Sequence, residues 1–428
     1  MATKDRSVTR PTILQPETIE AALTAVSRVG TPLWLYDAEA IRQRVRKVSA
    51  FECVRYAQKA NSNTHILRLL REMGVMVDAV SLGEIERALR AGYVPGTPAH
   101  EIVFTADIID EATLARVIEL RIPVNCGSPD MVKQIGEAAP GHAVWLRLNP
   151  GFGHGHNRKT NTGGPSSKHG IWHDELEESL KLIDKHGLKL VGLHMHIGSG
   201  VDYSHLHRVC DSMLDAVRQA NRPLEAISAG GGLSVPYAPG EPEIDIAEYH
   251  ASWEKARAEA ERITGSPIKL ELEPGRYLVG NAGVLIAEVR AIKRVADKHF
   301  VLIDAGFNDL ARPILYGSYH EICFVTPEGH EVTGPTHPVA VAGPLCEAGD
   351  VFTQKDGGFV EFRELALPKV GDIAILRDTG AYGATMSSNY NTRPLAAEVL
   401  RDNGVLTLIR KRQTVAQLLD LEDNGGPL

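Results

Sequence analysis

The sequence predicts an α/β protein, a (β/α)8 barrel joined to a second, all-β domain. Two observations carry the barrel: eight short apolar runs alternate with helix-like segments, and polar side chains gather at the C-terminal ends of those runs. A third carries the second domain. Beyond residue 280 the strand-like runs go on, but loops replace the helices. A chain of 428 residues is too long for one ordinary core. The expected division is a barrel over 38–280 and a β domain made of 1–37 with 281–428, because TPLWLYD (31–37) reads as a strand placed before the barrel.

The barrel strands are read in order. VRYAQ (54–58) comes first, followed by VMVDAV (75–80), EIVFTA (101–106) and IPVNCG (122–127). AVWLRLNP (143–150), LVGLHMHIG (190–198), EAISAGGG (225–232) and IKLELEPG (268–275) complete the set. HILRLLREMG, GEIERALRAG and DEATLARVIEL follow the first three as helices, DELEESLKLIDKHG the fifth and IAEYHASWEKARAEAERITG the seventh. Several of these end in glycine, the usual helix stop. In the β domain, VLIAEVRAIKRV, HFVLIDAGF, PVAVAGPLC and DIAILRDTG are strand-like.

Bulk properties exclude several classes. The net charge of −8 argues against a nucleic-acid surface. No apolar run approaches the roughly 18 residues of a membrane span, and MATKDRSVTRPTILQ lacks the apolar core of a signal peptide. Five cysteines, widely spaced and without a CxxC, fit a reducing cytoplasm better than a disulfide framework or a structural zinc site.

An active site on this architecture sits at the strands' C-terminal ends. There the sequence places Lys59 after strand one, Asp78 on strand two, Arg147 and Asn149 at the end of strand five, and His194 and His196 at the end of strand six. Gly230, Gly231 and Gly232 follow strand seven; Glu273, Gly275 and Arg276 follow strand eight. Each has an ordinary reading. A strand-end lysine commonly runs its stem over apolar surface to water, a triple glycine can be a plain turn, and a strand histidine can be a hydrogen-bonded core residue. His194 and His196 share a strand face and could bind a metal, as in barrel hydrolases, but no matching ligand set appears at other strand ends, so no metal is expected. His154 and His156 fall in a glycine-rich loop and read as solvated. Around one cavity, a lysine, a glycine cradle with an arginine, a flat imidazole and a carboxylate suit one cofactor, pyridoxal 5'-phosphate.

YAQKAN (56–61), VDAVSLGEIERAL (77–89), HMHIGSG (194–200), SAGGGLSVPY (228–237), EPGRYLV (273–279), CEAGD (346–350) and GAYGATMSSNYNTRP (380–394) carry a resemblance that runs nearly end to end. The chain resembles the bacterial diaminopimelate decarboxylases, pyridoxal phosphate enzymes of the alanine-racemase-like fold. The resemblance implies decarboxylation of meso-2,6-diaminopimelate to L-lysine, the last step of lysine biosynthesis. It makes Lys59 the Schiff-base lysine and stacks His196 on the cofactor ring. Ser199, Gly230, Gly231, Gly232, Gly275, Arg276 and Tyr382 would hold the phosphate, Glu273 would pair with the pyridine nitrogen, and Asp78 would lie near the lysine. Arg276, Arg312, Tyr316, Glu347 and Tyr382 would bind substrate, and Cys346 would return the proton. It also implies a homodimer whose Cys346 and Glu347 complete the partner's site. Three residues depart from the family pattern: Gln58 for a frequent leucine, Ala348 for a small hydroxyl residue and His169 for a frequent aromatic. Another basic amino-acid decarboxylase or a racemase on the same fold is the alternative, with a barrel metallohydrolase behind it.

Overall fold

The computed structural model describes residues 15–96, 100–153, 161–198 and 203–423. The chain forms two compact units. One comprises Arg42–Ser234 and Ile244–Leu278; the other comprises Met1–Ile41, Val235–Glu243 and Val279–Leu428.

The first unit is the expected barrel. Its parallel strands are Cys53–Ala57, Met76–Ala79, Ile102–Ala106, Val124–Cys126, Ala143–Asn149, Lys189–Met195, Ala226–Ser228 and Lys269–Leu272. Each pairs with the next, and the eighth pairs back onto the first through Glu271 beside Cys53 and Leu272 beside Val54. The two-residue strand Ile171–Trp172 lies along the end of the fifth. Helices between the strands begin where a side chain can take the orphan N–H groups of a first turn. Asn63, Ser81, Asp110, Ser128 and Asp245 do so for Thr64–Glu72, Leu82–Arg90, Glu111–Glu119, Pro129–Ala138 and Ile246–Thr264. Gly187 and Gly265 close Leu176–His186 and Ile246–Thr264 in the left-handed conformation.

The register divides the strands into two faces, because in-register residues of parallel neighbours point the same way. Val54, Tyr56, Val77, Ile102, Phe104, Val124, Val144, Leu146, Leu193, Ile227, Leu270 and Leu272 form one continuous buried apolar face. This composition suits the face the surrounding helices cover. The other face carries Arg55, Asp78, Thr105, Asn125, Arg147, His194, Ser228 and Glu271, all nine-tenths or more buried. The barrel interior is therefore polar. Its central ion pair joins the first and eighth strands: Arg55 donates from Nε to Glu271 Oε2 at 2.6 Å and from Nη1 to the His100 carbonyl at 2.8 Å.

In the second unit the sheet runs Arg363–Ala366, Thr336–Ala342, Lys298–Ile303, Gly283–Val295, Leu33–Asp37, Ala397–Asp402, Val405–Arg410. Ile373–Leu376 pairs with both Gly283–Val295 and Ile322–Val325. Helix Pro16–Val29 covers this sheet, packing Ile19, Ala21, Ala22 and Ala25 against Leu33, Leu35, Ile286, Cys323, Val325, Ile373, Ile375 and Val399. The sequence reading found the strand at 33–37 and the four runs after 280. It did not find this helix, nor Ile322–Val325, Arg363–Ala366, Ala397–Asp402 and Val405–Arg410. The last is an edge strand with Val405 and Leu408 exposed, so burial imposes little pattern on it. Among the described residues, no helix is long and apolar enough to cross a membrane.

The central ion pair gives a stability test. Glu271→Ala leaves Arg55 as an uncompensated buried charge and should cost about 3–5 kcal/mol. Urea unfolding monitored on the barrel transition should report that loss, and the paired change Arg55→Met with Glu271→Leu should recover most of it.

Candidate active site

The first strand ends at Ala57, and a 3-10 turn, Gln58–Ala60, follows. Gln58 and Ala60 are buried in this turn, whereas Lys59 between them is exposed. The turn therefore anchors its neighbours and presents the ammonium at the barrel mouth. Gln58, the first departure, is fully buried and donates from Nε2 to the Glu84 carbonyl at 3.1 Å. That bond ties the lysine turn to helix Leu82–Arg90. The same helix start resembles a capping box whose reciprocal bond is shifted one residue toward the strand. Ser81 Oγ accepts from the Glu84 N–H, and Glu84 Oε2 accepts from the Val80 N–H at 2.9 Å. Burial pushes the Glu84 carboxyl up, against the pull of the Val80 N–H and Lys59.

Asp78 and Glu273 are both buried acids with opposite behaviour. Burial, reinforced by the charge of Glu273, pushes the Asp78 carboxyl well above the usual carboxylate range, although Thr105 and Lys59 oppose it. Its Oδ1 has no hydrogen-bond partner among the described residues. Burial alone would raise Glu273 too. His194 Nε2–H donates to its Oε2 at 2.7 Å, Ser228 Oγ donates to its Oε1 at 3.0 Å, and Arg55 adds a positive field. Together they hold the carboxyl at about 2, so Glu273 is an anion. His194 Nδ1 is buried with no partner among the described residues. Burial, with Arg147, Lys59 and His194 nearby, pushes His196 well below its ordinary value, which makes it a neutral imidazole.

The glycine turn after strand seven is packed to the limit. Gly230 and Gly232 have φ of 62° and 101°, in the left-handed region. A Cβ would lie 2.4 Å from the Met195 carbonyl at Gly230, 2.5 Å from the Glu273 carbonyl at Gly231 and 2.5 Å from the Gly198 carbonyl at Gly232. Ser228 Oγ accepts from the Gly230 N–H at 3.1 Å, and the Gly230 carbonyl accepts from the Glu273 N–H at 2.8 Å, locking the turn to strand eight. At Gly275 a Cβ would sit 3.1 Å from the Ala57 carbonyl. Arg276 opens the helix Arg276–Val279 directly after it.

Beside this centre, Asp107 Oδ2 meets His169 Nδ1 at 2.5 Å, and Asp107 Oδ1 accepts from the Gly170 N–H at 2.9 Å. His169, the third departure, thus fastens the 161–170 segment to the end of strand three. Nothing in the structure explains Ala348, which is exposed.

The barrel unit brings Lys59, Asp78, His196, Gly230, Gly231, Gly232, Glu273, Gly275 and Arg276 to the C-terminal ends of its strands. Ser199 lies outside the described residues, as do His154 and His156. Arg312, Tyr316, Cys346, Glu347 and Tyr382 belong to the β unit. Arg312 and Tyr316 share the helix Arg312–Tyr316. Cys346 and Glu347 are exposed on a loop held by Asp350, whose carboxylate accepts from the Phe307 and Leu345 N–H groups at 2.7 and 2.8 Å. The Cys346 N–H donates to Asn391 Oδ1 at 3.0 Å. Tyr382 has φ of 56°, a left-handed backbone that costs a non-glycine residue energy. The sequence reading missed Ser228, Thr105 and Glu84. Ser228 was inside the quoted SAGGG, and Glu84 was three residues after Ser81, the spacing of a capping box.

A buried anion, a neutral flat imidazole, two orphaned polar atoms and a cradle that any Cβ would fill all fit pyridoxal phosphate. The His194–Glu273 contact also bears on the metal alternative. His194 Nε2 is spent on a carboxylate, and among the described residues no group of three His, Cys, Asp or Glu could hold a metal ion.

Comparisons with known proteins point the same way. Residues 38–280 match the family described as "Pyridoxal-dependent decarboxylase, pyridoxal binding domain". The chain is 60% identical over 403 residues to a diaminopimelate decarboxylase of Streptomyces coelicolor, covering 94% of this chain and 92% of the relative. A crystal structure of diaminopimelate decarboxylase superposes with a TM-score of 0.93 at 56% identity, covering 100% of both chains. The Helicobacter pylori diaminopimelate decarboxylase complexed with L-lysine gives 0.83 at 30% identity over 94% of this chain and 99% of that one.

Asp78 supplies a test of these electrostatics. Its raised pKa means that the folded protein holds a proton the unfolded chain has released above about pH 3.8. Ionised Asp78 therefore costs stability at neutral pH, and the cost disappears as the pH falls to the unfolded value. In the cofactor-free protein, Asp78→Asn should raise the thermal midpoint at pH 7 and leave it nearly unchanged near pH 3.5.

Proposed function

The chain belongs to the pyridoxal-dependent decarboxylases, and from that premise we infer that it removes carbon dioxide from meso-2,6-diaminopimelate to give L-lysine, the last step of lysine biosynthesis. The observation that carries this reading is the near full-length likeness to the Streptomyces coelicolor enzyme, which takes in the β unit as well as the barrel.

Bound pyridoxal phosphate supplies an electron sink for the carbon–carbon bond that breaks. The chain's own residues do the rest. Lys59 is the amine that links to the cofactor, and its exposure at the mouth suits a group that substrate must displace. Glu273, held as an anion, would pair with the ring nitrogen and keep it protonated. His196, held neutral, would cover the ring face without adding charge. The cradle Gly230, Gly231 and Gly232 would hold the phosphate with Ser199, Gly275, Arg276 and Tyr382, and Asp78 would lie near Lys59. Arg276, Arg312, Tyr316, Glu347 and Tyr382 bind substrate. The arginines suit its carboxylates through paired hydrogen bonds, and Glu347 suits its distal ammonium. Cys346 gives a proton to the carbon left after decarboxylation.

We assign the working form as a cytoplasmic homodimer. Cys346 and Glu347 are exposed on a loop whose base is pinned by Asp350, an arrangement suited to completing a partner's site. All five cysteines are free thiols, which fits a reducing compartment.

Incubation with meso-diaminopimelate should release carbon dioxide and L-lysine in equal amounts. Ornithine or arginine turned over in its place would move the assignment to another decarboxylase. Lys59→Ala should abolish both turnover and the visible absorption band of lysine-linked cofactor; a band of normal intensity would remove Lys59 from its role. Cys346→Ala should lower kcat by about a hundredfold or more, the scale of a lost proton donor. Cofactor affinity should stay within about threefold, because the thiol acts on substrate and not on the cofactor's anchor points.

A further inference from the structure

The substrate's second carboxylate distinguishes diaminopimelate from simpler basic amino acids. Arg312, one of the two arginines suited to the substrate's carboxylates, is held by a group the sequence reading passed over. Arg312 is 4% exposed and donates from Nη1 to Nε2 of His320 at 2.9 Å. His320 is 1% exposed, and its Nδ1 lies 2.8 Å from the carbonyl oxygen of Arg377.

These two contacts fix the proton on the ring. A carbonyl oxygen only accepts, so Nδ1 carries the hydrogen. A guanidinium only donates, so Nε2 offers a lone pair. His320 is therefore a neutral imidazole in one tautomer. Its own carbonyl accepts from Arg363 Nη1 at 2.6 Å, which holds the backbone beneath it. Tyr237 adds a face: its ring lies 4.4 Å from the Arg312 guanidinium carbon, and it meets the His320 ring edge-on with centroids 5.4 Å apart.

The choice of acceptor matters. A carboxylate at this place would orient the guanidinium and cancel its charge. A neutral imidazole orients it without itself adding an opposing charge. A guanidinium gripped from one edge and one face loses little further freedom when a carboxylate docks.

We propose that His320 is a positioning residue for recognition of the distal carboxylate, its Nε2 lone pair aiming Arg312 while Tyr237 backs the guanidinium plane. This rests on the reading that Arg312 meets that carboxylate.

The test uses the cofactor-loaded enzyme and steady-state kinetics on meso-diaminopimelate. His320→Phe should raise KM by about tenfold or more, the loss of one charge-assisted orientation, with kcat within about threefold and the visible band unchanged. His320→Gln should restore KM, because its amide can accept from Arg312 and donate to the Arg377 carbonyl. Arg312→Ala serves as the reference. If it raises KM and His320→Phe does not, the positioning role falls and the substrate reading stands. If Arg312→Ala leaves KM unchanged, the substrate reading falls as well. A kcat loss in His320→Phe with KM unchanged also overturns the proposal. Should that variant not fold, nitrogen-15 NMR of histidine-labelled wild-type protein decides. The signal missing from His320→Gln should be a neutral imidazole protonated on Nδ1, and a cation or the Nε2–H tautomer overturns the proposal.

Discussion

A parallel barrel with a polar interior stands only if each buried charge meets a partner, and the Arg55–Glu271 pair meets that condition where the circle closes. It spans the first and eighth strands, the two barrel strands that lie farthest apart in sequence. Around it, Thr105, Asn125, Ser228 and His194 line the same face. The apolar face toward the helices carries the ordinary burden of packing. The interior is thereby left to hydrogen bonds and charge, and the site at the mouth grows out of that polar lining instead of being set on top of an oily plug.

The contrast between Asp78 and Glu273 shows how such an interior assigns roles. Both are carboxyls within 9% of full burial. Desolvation opposes ionisation in both, so burial alone cannot separate them. Partners do. Glu273 receives an imidazole N–H and a hydroxyl within 3.0 Å, whereas one oxygen of Asp78 receives nothing among the described residues. One acid stays charged, and the other is pushed toward its neutral form with the Lys59 charge nearby. The decarboxylase therefore obtains two different groups from the same side-chain chemistry by changing what surrounds each one.

Much of this was legible in the sequence, and the reasons are specific. VRYAQ, AVWLRLNP and LVGLHMHIG alternate because one strand face meets helices and the other meets the polar interior, so period and strand ends could be read together. Lys59, His196, Gly230 to Gly232 and Glu273 were found because strand ends on a barrel share one rim. The second unit was less legible. Helix Pro16–Val29 carries its own signals, proline at its start, Arg28 in its last turn and Gly30 just beyond, which a pattern of strand-like runs alone does not pick up. Val405–Arg410 carried little signal, because an exposed edge strand is not forced to alternate. His320 could not have been found by pattern: its value lies in a tautomer set by a backbone carbonyl 57 residues away.

The β unit is assembled from three separate stretches of chain. Leu33–Asp37 lies between Gly283–Val295 and Ala397–Asp402, pairing antiparallel with one and parallel with the other. During synthesis the strand at 33–37 therefore leaves the ribosome long before either neighbour exists, with both edges bare. All eight barrel strands emerge before the later stretch of that sheet. The barrel can complete itself while translation continues, whereas Leu33–Asp37 gains a partner on its second edge only once Ala397–Asp402 has emerged. Chaperones that shield nascent β-strand edges would meet this protein at its amino terminus, and a ribosome stalled before residue 397 would release a finished barrel tied to an unsatisfied strand.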